Sequence, residues 1–159
     1  MCETCIPCLV YKPAQAQDLA LPLVSRSSMS PMDRVGVDIF HFGGCDWLIM
    51  CDLFSGYPMI RNLGKSHTTD SVLEALEAWF RVFGYCHFLR HDNGPAFRER
   101  FVAGLKAMGV RAEASSPYHP QSNGLAEASV SNIKSLLYKC KYERYNFDRA
   151  LAQWLQTPR

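Results

Sequence analysis

The stretch Val35-Gly36-Val37-Asp38-Ile39-Phe40-His41-Phe42-Gly43-Gly44-Cys45-Asp46-Trp47-Leu48-Ile49-Met50-Cys51-Asp52-Leu53 decides the fold. Val35, Val37 and Ile39 alternate with Gly36, Asp38 and Phe40, the two-residue period of a strand. Gly43-Gly44 punctuates the run, and residues 47–53 form a second apolar stretch. Two glycines between such runs predict an antiparallel hairpin. A third short strand fits residues 58–62.

Downstream the period changes. Val72, Leu73, Leu76, Trp79, Phe80 and Phe83 recur at helical spacing, with Thr69 or Asp70 as the cap and Gly84 as the stop. Residues 86–90 read as a short strand ending at His91-Asp92. A second helix carries Phe97, Phe101, Leu105 and Met108 and stops at Gly109. Gly104 inside it should cost about 1 kcal/mol relative to Ala. Arg111–Ala114 makes a fifth strand. Residues 115–124 are loop by composition, and Ala126, Val130, Ile133, Leu137 and Cys140 then mark an apolar helical stripe over four turns. A last helix fits residues 146–156, with Phe147, Ala150, Leu151 and Trp154 inward. Three strands, then alternating helix and strand, then helices predict an α/β fold: a five-stranded mixed sheet flanked by helices.

Composition narrows the function classes. The chain has 159 residues, 48% of them hydrophobic and 20% charged, which suits one globular domain rather than a disordered tail. A net charge of +2 permits a polyanionic partner without demanding one. No apolar run approaches the roughly 18 residues of a membrane span, and no signal peptide opens the chain. An odd count of seven cysteines, four inside apolar segments, predicts reduced thiols and an intracellular protein. No Gly-x-Ser-x-Gly elbow supports a serine hydrolase.

Three acids stand out. Asp38 sits mid-strand, where a carboxylate is unfavourable without a purpose; an exposed edge-strand acid is the plain alternative. Asp92 closes a strand before Asn93-Gly94-Pro95, which equally reads as a turn. Glu127 lies in a helix's first turn, where the macrodipole welcomes it in any case. If the fold brings the three together, each pair repels by up to about 4 kcal/mol at 4 Å, so the cluster wants cations. Magnesium takes such hard oxygen ligands, and a pair of ions serves in-line phosphoryl transfer. Asp52 is a rival acid, more fitting as a cap on the turn before Ser55-Gly56. His91 should point to the opposite sheet face from Asp92.

Asp92 and Glu127 are separated by 127 − 92 − 1 = 34 residues. With Asp-Asn-Gly-Pro-Ala-Phe at 92–97, Ser-Pro-Tyr-His-Pro-Gln-Ser-Asn-Gly-Leu-Ala-Glu at 116–127 and Ile-Met-Cys-Asp-Leu-Phe-Ser-Gly-Tyr at 49–57, the chain resembles the integrases of gypsy-like retrotransposons and retroviruses. The resemblance runs from about residue 35 to the end. It implies an RNase H-like fold and an Asp, Asp, Glu triad formed by Asp38, Asp92 and Glu127. Those residues would hold Mg²⁺ (or Mn²⁺) for DNA 3′-end processing and strand transfer. It further implies action on element ends and target DNA, a homo-oligomer and a nuclear site. The helices over 69–83 and 146–156 carry enough aromatics for an interface between copies.

On a helical wheel Glu127 stands about 100° from Ala126, with Lys134 about 20° from Glu127 and Tyr138 and Lys141 on the same flank. The resemblance sets this face along DNA, with Lys134 in contact and Gln121 and Asn123 in the neighbouring loop; a solvated helix flank is the alternative for the lysines. Ala128 and Ser131 replace residues that are often basic in relatives. Cys5 and Cys8 resemble half of the His-His-Cys-Cys zinc site that precedes integrase cores, so Zn²⁺ would bind only with further ligands upstream. The expected organisation is a zinc-domain remnant at 1–12, a linker at 13–32 and the catalytic core at 33–159. The chain reads as truncated at both ends. A silent or domesticated relic that binds DNA or protein is therefore the competing function.

Overall fold

A computed structural model describes residues 30–115 and 124–156, with side chains from residue 128 in the second segment. Strands β1 (Arg34–Phe42), β2 (Cys45–Asp52) and β3 (Pro58–Gly64) precede helix α1 (Thr69–Phe83). Strand β4 (Phe88–His91), helix α2 (Glu99–Ala107) and strand β5 (Arg111–Ala114) follow, then helices α3 (Gly124–Glu143) and α4 (Phe147–Gln156). The five strands form one sheet in the order β3-β2-β1-β4-β5. The β3-β2-β1 part is antiparallel, while β4 lies parallel to both β1 and β5, so the sheet is mixed.

The hairpin is the one its glycines predict. Phe42 pairs with Cys45, and Gly43 and Gly44 both take positive φ, 65° and 79°. That is the backbone a two-residue turn needs to match strand twist.

Val35, Val37, Leu48, Met50 and Leu89 project to one face of the sheet and share a core with Val72, Leu76 and Phe80 of α1 and Phe101 and Leu105 of α2. Alternation sends Gly36, Asp38, Ile49, Cys51 and Arg90 to the other face.

Two local readings need correction. The α1 cap is Thr68, not Thr69 or Asp70. The Thr68 backbone is extended, its hydroxyl accepts from the Ser71 N–H, and Ser71 Oγ accepts from the Thr68 N–H. Asp70 is instead held by Arg100 of α2 through two bonds of 2.7 and 2.9 Å. Phe97 lies not in α2 but in a 3-10 turn, Pro95–Phe97, because Arg98 takes an extended backbone between them. In α4 the residues expected inward, Phe147, Ala150, Leu151 and Trp154, are half-buried while Asp148, Arg149, Gln153 and Gln156 are exposed, and no residue of that helix is fully buried. Gly104 also gains a reason: a Cβ there would stand 2.5 Å from Leu73 Cδ1, so the glycine lets α2 close against α1.

The described residues divide into two compact units. One runs to Ser129 and holds the sheet, α1, α2 and the first turn of α3; the other begins at Val130 and holds the rest of α3 with α4. Val130, Ile133, Leu137 and Cys140 are buried, as the stripe predicts. No helix among the described residues is long and apolar enough to cross a membrane.

Candidate active site

Asp38 lies in β1 and Asp92 directly after β4, and these two strands are neighbours in the sheet. β1 and β4 run parallel with Gly36 opposite Arg90. Carried two residues further, that register sets Asp38 level with Asp92, which directly follows the last residue of β4. Neighbouring strands lie about 4.8 Å apart, which brings these two backbone positions close to each other. Both belong to the face away from α1 and α2 by strand alternation.

Each carboxylate is oriented by main chain. Asp38 Oδ1 accepts the Ile39 N–H at 2.7 Å. Asp92 Oδ1 accepts the Gly94 N–H at 2.9 Å, an Asx-type turn that pins the side chain over its own loop. A Cβ on Gly94 would sit 2.9 Å from the same Oδ1, so any larger residue there would have to displace the carboxylate. Asp92 Oδ2 takes no hydrogen bond among the described residues.

Behind Asp92, His91 is buried on the opposite face as alternation predicts. Its ring packs 5.5 Å from both Phe97 and Phe101, and Nδ1 donates to the Asp92 carbonyl at 2.6 Å. The Asp92 turn is thus tied to the core on one side and closed by Gly94 on the other. Sequence reading placed His91 on the right face but gave it no part in holding the turn. The aromatic spacing 97, 101 was the available signal.

The rival acids are engaged elsewhere. Asp52 is buried and accepts from the backbone N–H groups of Met32, Phe54 and Ser55 and from the Ser55 hydroxyl, so it caps the turn that precedes β3. Glu113 of β5 is shared by Arg34 at 3.2 Å and Arg90 at 3.4 Å. Asp46 accepts from His41 Nδ1 at 2.9 Å and His67 Nδ1 at 2.8 Å, and these two hydrogen bonds hold its carboxyl below the usual range. Cys45, Cys51, Cys86 and Cys140 are free thiols. Burial pushes the Cys86 thiol up to about 12, which leaves it inert as a nucleophile.

Glu127 occupies the first turn of α3, and its side chain lies outside the described residues. The turn itself is fixed against the sheet: Ser129 Oγ and Cys51 Sγ, both buried, share a hydrogen bond of 3.2 Å. Cys51 stands opposite Gly36 on the face that carries Asp38. Sequence reading gave neither Cys51 nor Ser129 a role. Further along α3, Lys134 is half-buried, while Tyr138 and Lys141 are exposed, as are Ala128 and Ser131. Gln121, Asn123, Cys5 and Cys8 lie outside the described residues.

Comparison with known proteins fits this geometry. Residues 29–120, more than half of the chain, match the family described as Integrase core domain. The chain belongs to that family. Among relatives, the Pro-Pol polyprotein of simian foamy virus type 3 (strain LK3) is 30% identical over 143 residues, covering 85% of this chain and 12% of the polyprotein. Among solved structures, a simian T-cell lymphotropic virus intasome in complex with PP2A regulatory subunit B56 gamma has a chain that superposes with a TM-score of 0.66 at 27% identity, over 77% of this chain and 46% of that one. The HTLV-2 integrase catalytic core domain in complex with magnesium gives 0.62 at 21% identity, over 79% and 83%. The latter likeness establishes the fold, that of an integrase catalytic core. The chain spans between 9% and 17% of the length of the first curated relatives it matches.

Proposed function

We propose that the chain is the catalytic core of a retroelement integrase that carries out DNA 3′-end processing and strand transfer. The observation that supports this reading is the parallel register of β1 with β4, Gly36 opposite Arg90, which extended by two residues sets Asp38 beside Asp92, with Ser129 of α3 bonded to Cys51 of the same sheet.

Asp38, Asp92 and Glu127 supply only hard oxygen donors, the set that suits Mg²⁺ or Mn²⁺. The HTLV-2 core was solved with magnesium, which fits that choice. When bound, the metal supplies electrophilic stabilisation to the attacking and leaving oxygens of phosphoryl transfer. The chain's own part is to aim the carboxylates and hold DNA. Lys134 and Lys141 would meet phosphates, Tyr138 would lie against the strand, and the amides of Gln121 and Asn123 would orient the end. From Glu127 onward six basic residues face three acidic ones, a local net of +3, so DNA affinity of the core should be modest and salt-dependent.

The domain plan proposed with this function is a zinc-domain remnant at 1–12, a linker at 13–32 and the core at 33–159. Cys5 and Cys8 offer two thiolates where structural zinc takes four ligands, so zinc would need further donors. Self-association is part of the proposal. Val82, Phe83, Tyr85 and Tyr57 are exposed around the end of α1, with the Tyr57 and Phe83 rings 6.2 Å apart. The HTLV-2 core occurs in dimeric and trimeric forms. Chromosomal DNA as target would place the activity in the nucleus.

The test is a strand-transfer and disintegration assay on the full 159-residue chain with Mg²⁺ and Mn²⁺. Metal-dependent joining that is lost in Asp38→Asn is expected. DNA binding without any joining in either metal would instead support the silent relic.

A further inference from the structure

The face of the sheet that carries Asp38 also holds three arginines gathered around one phenylalanine and one glutamate. Parallel register sets Arg34, Phe88 and Arg111 side by side on β1, β4 and β5, with Arg90 beside Glu113 two residues further on. Alternation turns all five to the face away from α1 and α2. The Arg34 guanidinium lies over the Phe88 ring, 4.1 Å from its centroid, and that of Arg111 stands at 5.6 Å. Glu113 accepts from Arg34 at 3.2 Å and from Arg90 at 3.4 Å. Asp33, the acid next to Arg34, is held by His87 at 2.8 Å. Three guanidiniums therefore face one carboxylate, which leaves positive charge in excess. That charge is accessible: the Arg34 and Arg90 side chains are 32% and 24% exposed, and Arg111 is exposed. Among the described residues Arg111 makes no hydrogen bond or ion pair, and Arg34 engages Glu113 through Nη1 alone.

We infer that Arg34, Arg90 and Arg111 form a binding strip for the phosphodiester backbone of DNA, in addition to the Lys134 and Lys141 proposed above. This deepens the proposed function and rests on it for the choice of DNA as the polyanion. A guanidinium presents a rigid fork of donors that matches phosphate oxygens, and stacking on a ring leaves the edges of that fork open. Because the Phe88 ring is taken up by Arg34, it offers no platform for a base. The strip reads phosphate and not sequence. At about 3.3 Å per residue, the Arg34 row lies about 13 Å along the strands from the level of Asp38, and the Arg90 row about 7 Å. DNA held there lies on the face that carries the acid. Glu113 fixes two of the guanidiniums and offsets part of their charge.

The test measures binding of the full chain to two labelled duplexes of unrelated sequence, by anisotropy in metal-free buffer across a salt series. Arg111→Gln and Arg34→Gln should each weaken both duplexes about tenfold at roughly 0.1 M salt. Each should also lower the slope of log affinity against log salt by about 0.9, the signature of one lost phosphate contact. Glu113→Gln should tighten binding, a gain that damage to the fold would not produce. If Arg111→Gln and Arg34→Gln keep the parent's affinity and slope, the cluster only ties β1, β4 and β5 together and the inference is overturned. Polyglutamate bound as tightly as DNA through the same arginines would also overturn it, by making the strip an acidic-peptide surface. Strand joining is assayed separately. Weakened binding in Arg111→Gln of a chain that joins no DNA upholds the strip and removes the proposed activity; joining that persists while both variants bind like the parent does the reverse.

Discussion

The Gly94 N–H and the Asp92 carboxylate are bound to each other at 2.9 Å, and a Cβ on Gly94 would occupy the same distance from the same oxygen. A side chain at that position would have to push the carboxylate aside. Gly94→Ala should displace the Asp92 side chain while leaving the strand and core in place. The expected result is an unfolding temperature within a few degrees of the parent and a Mg²⁺ midpoint raised by about tenfold or more, the effect of losing roughly 1.4 kcal/mol of ligand alignment. An unchanged midpoint would show that Asp92 does not depend on the turn.

Asp52 gives the opposite pattern. Its buried carboxylate satisfies four donors, from Met32, Phe54 and twice from Ser55. Asp52→Ala should cost about 3 kcal/mol by stranding those groups, read by denaturant unfolding. The Mg²⁺ response should persist. A variant that stays as stable as the parent but loses metal would move Asp52 into the site.

Gly104→Ala sets helix propensity against packing. Alanine should return about 1 kcal/mol of intrinsic helix stability. Its Cβ would meet Leu73 Cδ1 at 2.5 Å, Cδ2 at 2.9 Å and Cγ at 3.3 Å, and overpacking of this kind costs about 1–3 kcal/mol. Net destabilisation of about 1 kcal/mol is expected. In a Leu73→Ala background the penalty should vanish, a coupling that a double-mutant cycle measures.

Asp46 links the β1–β2 hairpin to the segment before α1 through His41 and His67. Its folded carboxyl titrates below the ordinary 3.8 because both imidazoles donate to the ionised form. A depressed folded value means the stabilisation is present above about pH 4 and is lost as pH falls through the folded value. The stability difference between the parent and Asp46→Asn should be largest above pH 4 and close in more acid buffer. A gap independent of pH would show that the carboxylate charge is not what matters there.

The sheet was legible because its strands keep a clean two-residue period and its turns are marked by Gly43-Gly44 and Gly84. Asp38 and Asp92 were legible as candidates because each stands where a carboxylate is locally unexpected or part of a motif. Their common face follows from the parallel register of β1 with β4, which no local pattern reveals. The α1 cap slipped by one residue because Thr68, Thr69 and Asp70 are all capping types, and only the ion pair of Asp70 with Arg100 separates them. The 3-10 turn escaped because Phe97 and Phe101 sit at helical spacing even though the extended Arg98 interrupts the helix between them. Cys51 and Ser129 were invisible as a pair, since a small polar residue inside an apolar stripe carries no mark of its partner 78 residues away.

The most direct measurement of the central claim compares thermal unfolding of the parent and Asp92→Asn in metal-free buffer and in Mg²⁺. Clustered carboxylates repel without a cation, so Asp92→Asn should match or slightly exceed the parent when metal is absent. Saturating Mg²⁺, about a hundredfold above its dissociation constant, should add about 2.7 kcal/mol to the parent, a rise of roughly 5–10 °C for a chain of this size, and far less to the variant. A parent that gains nothing from Mg²⁺ and joins no DNA in Mn²⁺, or a variant that gains as much as the parent, would contradict the assignment of Asp38, Asp92 and Glu127 as a metal-holding triad.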